Sequence, residues 1–132
     1  MASTEEINIE AAKRFVQLYN ETPDWIEQTH SKDHEWEELP TKYSPEGHRG
    51  GFENQKERAA QVSQFFPDRK MEILNLVAGG DQVVLDLAWR GTLSMTVDET
   101  AKEGDTFESR FALFLKFRDG RIIKETDFVV PV

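Results

Sequence analysis

Asp127 stands between Thr126 and Phe128 in a run whose other members, Ile122, Ile123, Val129 and Val130 among them, are mostly apolar. A carboxyl group in that company must be paired, neutralised or open to a polar cavity, because an isolated buried charge is costly. Burial raises a carboxyl pKa and lets the group give or take a proton near neutral pH, which is general acid/base chemistry. An aspartate at a strand end in water, or one paired with an arginine, has the same local sequence. His34, Trp36 and Glu38 lie two apart in His34-Glu35-Trp36-Glu37-Glu38-Leu39, so a strand would set them on one face. Histidine is the side chain suited to proton transfer near neutral pH, and His34 and Glu38 could complete an acid/base set with Asp127. A half-exposed histidine at a strand entrance is the reading the pattern favours for His34. A metal site from His30, Asp33 and His34 would need both histidines on one continuous helix. The preceding helix is expected to end between them, so no metal is expected.

These side chains need elements to hold them. From Glu5 to Asn20 the residues Ile7, Ala11, Phe15, Leu18 and Tyr19 recur at helical spacing, and Thr4 with its following glutamates resembles a capped start. A short second helix is expected after Thr22, opened by Pro23 and Asp24 and closed near His30. The His34–Leu39 strand follows, then a loop over Tyr43–Gly51. Ala59, Val62 and Phe66 form the stripe of a third helix that Pro67 ends. Strands are expected over Met71–Ala78, Gln82–Val97, Thr106–Phe117 and Arg121–Val130, linked by turns at Gly79-Gly80-Asp81, Glu103-Gly104-Asp105 and Asp119-Gly120. Helices first and hairpin-linked strands afterwards give an α+β fold with helices on one face of a sheet. The period of two sets Trp89 with Val83, Leu85 and Leu87, and Phe111 with Leu113 and Leu115, on one inner wall. That wall is core if packed and a ligand wall if not. Tyr19 either points its hydroxyl at the same space or exposes it at the helix end.

The 132 residues suit one domain, 1–132, with neither internal repeat nor linker. The absence of cysteine excludes disulfides and thiolate metal sites. A net charge of −9 without a basic stripe argues against nucleic acid. No stretch reaches a membrane span, and the polar, acidic start lacks the pattern of a secretory leader. A cytoplasmic protein is the expectation.

Four segments carry a resemblance. Phe66-Pro67-Asp68, Leu76 to Val84 through the Gly79-Gly80 turn, Trp89-Arg90-Gly91-Thr92, and Phe117 to Ile122 through Asp119-Gly120 follow one another as in the SnoaL-like polyketide cyclase family of the nuclear transport factor 2-like superfamily. Ile123 to Phe128 and the Asp33–Trp36 spacing are similar to it too. The resemblance implies a cone, a curved antiparallel sheet wrapped around N-terminal helices with an internal pocket, and a homodimer. It also implies that Asp127 takes the place of the cyclases' acid/base aspartate. Their histidine on the preceding strand corresponds to Leu113. The limonene epoxide hydrolase relay retains only Asp127, its other positions being Leu87, Trp89, Trp36 and Glu38. The ketosteroid isomerase positions read approximately Phe15, Glu37 or Glu38, and Leu113.

The expected function is binding of a small hydrophobic molecule. The chemistry expected with it is cofactor-independent acid/base catalysis of the cyclase, isomerase or dehydratase sort, with Asp127, His34 and Glu38 as catalytic candidates. Tyr19, Trp36, Leu87, Trp89, Phe111 and Leu113 are the expected ligand wall. A non-catalytic binding or dimerisation module and an epoxide hydrolase are the alternatives.

Overall fold

The computed structural model describes residues 2–132. Helix α1, Thr4–Glu21, starts one residue earlier than the periodicity predicts, because Ser3 rather than Thr4 is the cap and accepts from the Glu6 amide at 3.2 Å. Its apolar stripe buries Ala12, Phe15, Val16 and Tyr19. Helix α2 is a single short turn, Trp25–Thr29, and strand β1, His30–Glu38, begins directly after it. The strand thus starts four residues before the predicted boundary and takes in His30. Strand β2, His48–Gly50, lies inside the predicted loop and pairs with the end of β1.

Helix α3, Phe52–Phe65, begins where the Gly51 amide donates to Asn54 Oδ1 at 3.0 Å. The Asn54 side chain fills the space a Cβ on Gly50 would need, so only glycine lets the chain turn into this helix. Strands β3, Lys70–Gly79, β4, Gln82–Thr92, β5, Thr106–Arg118, and β6, Arg121–Pro131, form a hairpin-linked meander. At the β5–β6 turn both Asp119 and Gly120 have positive φ, 53° and 75°, as a two-residue primed turn demands. Strand β4 stops at Thr92 instead of Val97. Asp98 Oδ1 accepts from the Thr100 and Ala101 amides and folds the chain into a turn there.

The six strands run in the order β2-β1-β6-β5-β4-β3, antiparallel except for the parallel β1–β6 pair. Register shifts in the β3–β4, β5–β6 and β1–β6 pairs mark irregularities of the kind that bend a sheet. Helix α1 packs on β3 and β4, and α3 on β1 and β2. The core joins Phe15 and Ile26 to the inward faces of β4 and β5, where Val83, Leu85, Leu87 and Leu115 are fully buried. No helix among the described residues is long and apolar enough to cross a membrane.

Candidate active site

The inner face of the sheet does not pack completely against the helices. A cavity of about 390 Å³ remains between α1, α3 and the strands, walled by aromatic residues that include Tyr19, Trp36, Trp89 and Phe111. Two lining residues, Tyr43 at 63% and Val97 at 56% exposure, are open to solvent, so the cavity reaches the surface between the segments that carry them.

Two acids of β6 lie on this cavity. Glu125 and Asp127 are two apart on one strand and therefore share a face, and both are buried and line the space. Behind Glu125 a hydrogen-bond chain runs outward. The Thr29 hydroxyl donates to the Trp25 carbonyl at 2.6 Å, so it can only accept from His30 Nδ1, 2.7 Å away. Nδ1 of His30 is consequently protonated, and its Nε2 meets Glu125 Oε1 at 2.6 Å. Two lone pairs cannot face each other at that distance, so one proton lies between imidazole and carboxyl. Asp127 Oδ2 accepts from Trp36 Nε1 at 3.0 Å. Its Oδ1 is buried and has no hydrogen-bond partner.

Electrostatics push the two acids apart. Burial, and then the neighbouring charge of Glu125, raise Asp127 well above the ordinary carboxyl range, against which the Trp36 hydrogen bond is a smaller, opposing influence. For Glu125 burial also acts upward, but the hydrogen-bonded His30 and the neighbouring Asp127 outweigh it and hold the group well below its usual value. Burial disfavours the imidazolium of His30 and lowers it, while Glu125 pulls the other way; the 2.6 Å contact shows that the pair nonetheless retains a proton in common. The protonated form is therefore favoured at Asp127 over Glu125, and Oδ1, which has no partner, is the atom free to carry that proton. Two acids in one site with opposed ionisation are a recurrent arrangement for acid/base work.

Glu38 is the Cα register partner of Asp127 across β1 and β6 and lines the same cavity. Its Oε2 lies 3.4 Å from His48 Nε2 and 3.6 Å from Arg58 Nε, and the His48 ring stacks on Trp36 at 5.9 Å. Tyr19 is buried. Its hydroxyl oxygen accepts from Trp89 Nε1 at 2.9 Å, which leaves the phenolic hydrogen to be donated elsewhere. Burial pushes this phenol up to about 12, so it stays a donor across the working pH range.

The structure therefore brings Asp127, Glu38, Tyr19, Trp36, Trp89, Phe111 and Leu113 to one cavity. Leu87 and His34 are not on it. Leu87 is fully buried in the layer between sheet and helices, since strand parity assigns a face but not a depth. His34 is buried as well, but Nδ1 donates to the Ser31 carbonyl at 2.8 Å and Nε2 lies 2.6 Å from Gln55 Oε1. It meets Gln55 rather than Asp127. Gln55 itself lines the cavity, so His34 stands behind it rather than beside a substrate. The histidine that reaches the acid pair is His30. Glu125, His30 and Arg58 are additions to the sequence reading. A signal existed for Glu125, whose spacing from Asp127 puts two carboxyls on one strand face.

A family model described as SnoaL-like polyketide cyclase matches residues 9–129. Among curated proteins none matches the sequence. Solved structures of the same fold include AclR of Streptomyces galilaeus, titled a candidate hydroxylase, at 18% identity and TM-score 0.80, covering 97% of this chain and 81% of that one. IdmH of Streptomyces antibioticus, titled a candidate polyketide cyclase, shares 20% identity at TM-score 0.78, with 92% and 91% covered. A Catenulispora acidiphila protein with a ketosteroid isomerase-like fold, solved with trimethylamine, shares 16% at TM-score 0.71, with 89% and 83% covered. At these identities the likeness is one of fold, and the fold is the cone of helices and curved sheet that the sequence resemblance implied.

Proposed function

Since the chain belongs to the SnoaL-like polyketide cyclase family, we propose that it is an acid/base enzyme of the cyclase, isomerase or dehydratase type, acting on a carbonyl group of a small, largely apolar molecule. The observation that carries this reading is the buried Asp127 at the cavity wall, whose Oδ1 has no partner and whose burial favours the protonated form. Asp127 and the free hydrogen of Tyr19 donate to the carbonyl oxygen, which stabilises the negative charge developing there. Glu38 is the base that takes the neighbouring carbon-bound proton. Trp36 orients Asp127 through Oδ2, and the His30–Glu125 pair keeps a charge beside Asp127 that favours its protonated form. The aromatic walls hold the substrate and exclude water, which strengthens each of these hydrogen bonds.

Proton exchange tests the reading without knowledge of the natural substrate. A panel of aromatic ketones and 1,3-diketones is incubated with the protein in heavy water and followed by proton NMR. At least one member should lose its α-hydrogen signal faster than in buffer, and Glu38→Gln should slow that exchange about 10²–10⁴-fold. If the whole panel exchanges at the buffer rate and Asp127 titrates in the ordinary carboxyl range by carbon-13 NMR, the acid/base reading fails and a binding module takes its place.

The outer face of the sheet supports a second element of the proposal. Phe114 and Phe128 are exposed there, edge to face at 5.4 Å, beside the exposed Val130. An apolar patch of this kind on a sheet face suits a second copy of the chain. Sedimentation velocity at micromolar concentration should give a dimer, and Phe114→Lys a monomer. A monomeric wild-type protein would remove the dimer from the proposal.

A further inference from the structure

Among the described residues, four buried side-chain polar atoms lack a hydrogen-bond partner, and three of them belong to residues that line the one cavity: Asp127 Oδ1, Arg58 Nε and Trp25 Nε1. Native proteins satisfy nearly all such atoms, so their concentration at one place calls for an explanation. Arg58 Nε and Trp25 Nε1 can only donate. The Tyr19 hydroxyl, already an acceptor from Trp89, has its hydrogen to give. The cavity thus presents donors and asks for acceptors, and one donor carries a full positive charge.

Glu38 pairs with that charge but leaves the Arg58 Nε hydrogen bond unmade. Its Oε2 stands 3.6 Å from Arg58 Nε, beyond hydrogen-bond length, and is shared with His48 at 3.4 Å. The other carboxyls leave room for an anion: Glu125 is matched by His30, and Asp127 holds its proton. Arg58 stands on α3 and Asp127 on β6, and both line the same cavity, so one ligand filling it meets the two. Trp89 and Phe111, stacked nearly parallel with centroids 6.1 Å apart, line the same cavity and offer aromatic surface to a ligand ring.

The geometry points to a ligand that is an aromatic carboxylate, its anionic group on Arg58 and its ring along Trp89 and Phe111. This rests on the reading of the cavity as the substrate site and narrows the substrate to an acid. It makes Arg58 a binding residue that selects charge, separate from the proton-transfer groups.

The probes are 2-naphthoate and its uncharged isostere 2-naphthamide, titrated calorimetrically into the full chain. The wild-type protein should prefer naphthoate by about tenfold, the worth of one charge-assisted hydrogen bond. Arg58→Met should bring the two ligands within about twofold of each other and leave naphthamide affinity unchanged, and Arg58→Lys should restore part of the preference. The Arg58 Nε–H cross-peak in a nitrogen-15 spectrum should move on adding naphthoate but not naphthamide. Equal affinities in the wild-type protein, or a preference that survives Arg58→Met, overturn the inference. Failure of both probes to bind overturns it together with the cavity reading. Ketone exchange without a carboxylate preference overturns the inference alone, whereas the preference without exchange, and with Asp127 titrating in the ordinary carboxyl range, upholds it and sinks the acid/base reading.

Discussion

Asp127→Asn should lower turnover about 10²–10⁴-fold in a protein that still folds and still binds its ligand. The amide oxygen can accept from Trp36 in place of Oδ2, and the amide nitrogen takes the place of the unpartnered Oδ1 and can still donate. What the variant lacks is a proton to give near neutral pH. Stability carries a second signature. Burial raises Asp127 in the folded state, so above the ordinary aspartate value the native chain retains a proton that the unfolded chain has lost. Native stability must then fall as pH rises through that window. Asparagine has no such titration, so the variant's melting temperature should lose this decline and equal or exceed the wild-type value on its alkaline side. Calorimetric melting over a pH series, with rates on the same samples, checks both. A folded variant of undiminished activity would end the case for Asp127 as the acid.

His30→Ala should destabilise the fold by about 3–5 kcal/mol, the range for removing one partner of a buried ion pair. Glu125 would keep its place in the interior without the imidazole that shares its proton. Glu125's contribution to the pH dependence should also change sign. In the wild-type protein Glu125 is held low, so its contribution is present above the ordinary glutamate value and is lost as pH falls toward its native one. Without His30, burial dominates and raises Glu125, so stability is lost as pH rises instead. Urea denaturation at mildly acidic and at alkaline pH reads the difference. The double variant His30→Leu with Glu125→Leu, which removes both polar groups, should recover much of the loss. Wild-type stability in His30→Ala would mean that Glu125 has another partner.

The order of elements was legible because its signals are local. The helical stripe of α1, Pro67 after α3 and the Asp119-Gly120 turn each act within a few residues. Asp127 was legible from the resemblance and from its apolar neighbours. Glu125 was available by the same period of two and escaped because attention to a lone strand acid stops at the acid. His30 was hidden by the early start of β1, for a residue at a predicted helix end carries no face. Arg58 lies next to Ala59 in the α3 stripe, and whether a flanking arginine faces a cavity or water depends on how far the sheet bends. Leu87 shows the converse: its face follows from sequence, while its depth depends on which helix covers it. His34 was assigned correctly to an inward face, but what it meets there is Gln55, from a helix whose approach no strand pattern records.

The placement of β6 between β1 and β5 also sets when the proposed chemistry can exist along the folding path. The β3–β4 and β5–β6 hairpins close over two-residue turns and β4–β5 over residues 93–105, but His30–Glu125 and Trp36–Asp127 join residues 95 and 91 positions apart. Contacts of such sequence separation are costly in loop entropy and slow to form. A chain that has built its meander but not yet docked β1 would have most of its sheet, with Glu125 and Asp127 exposed to water and titrating as ordinary acids. The acid is thus a product of the final closure. Heat or denaturant that first loosens β1 from β6 would silence the protein while most of its strands remained paired.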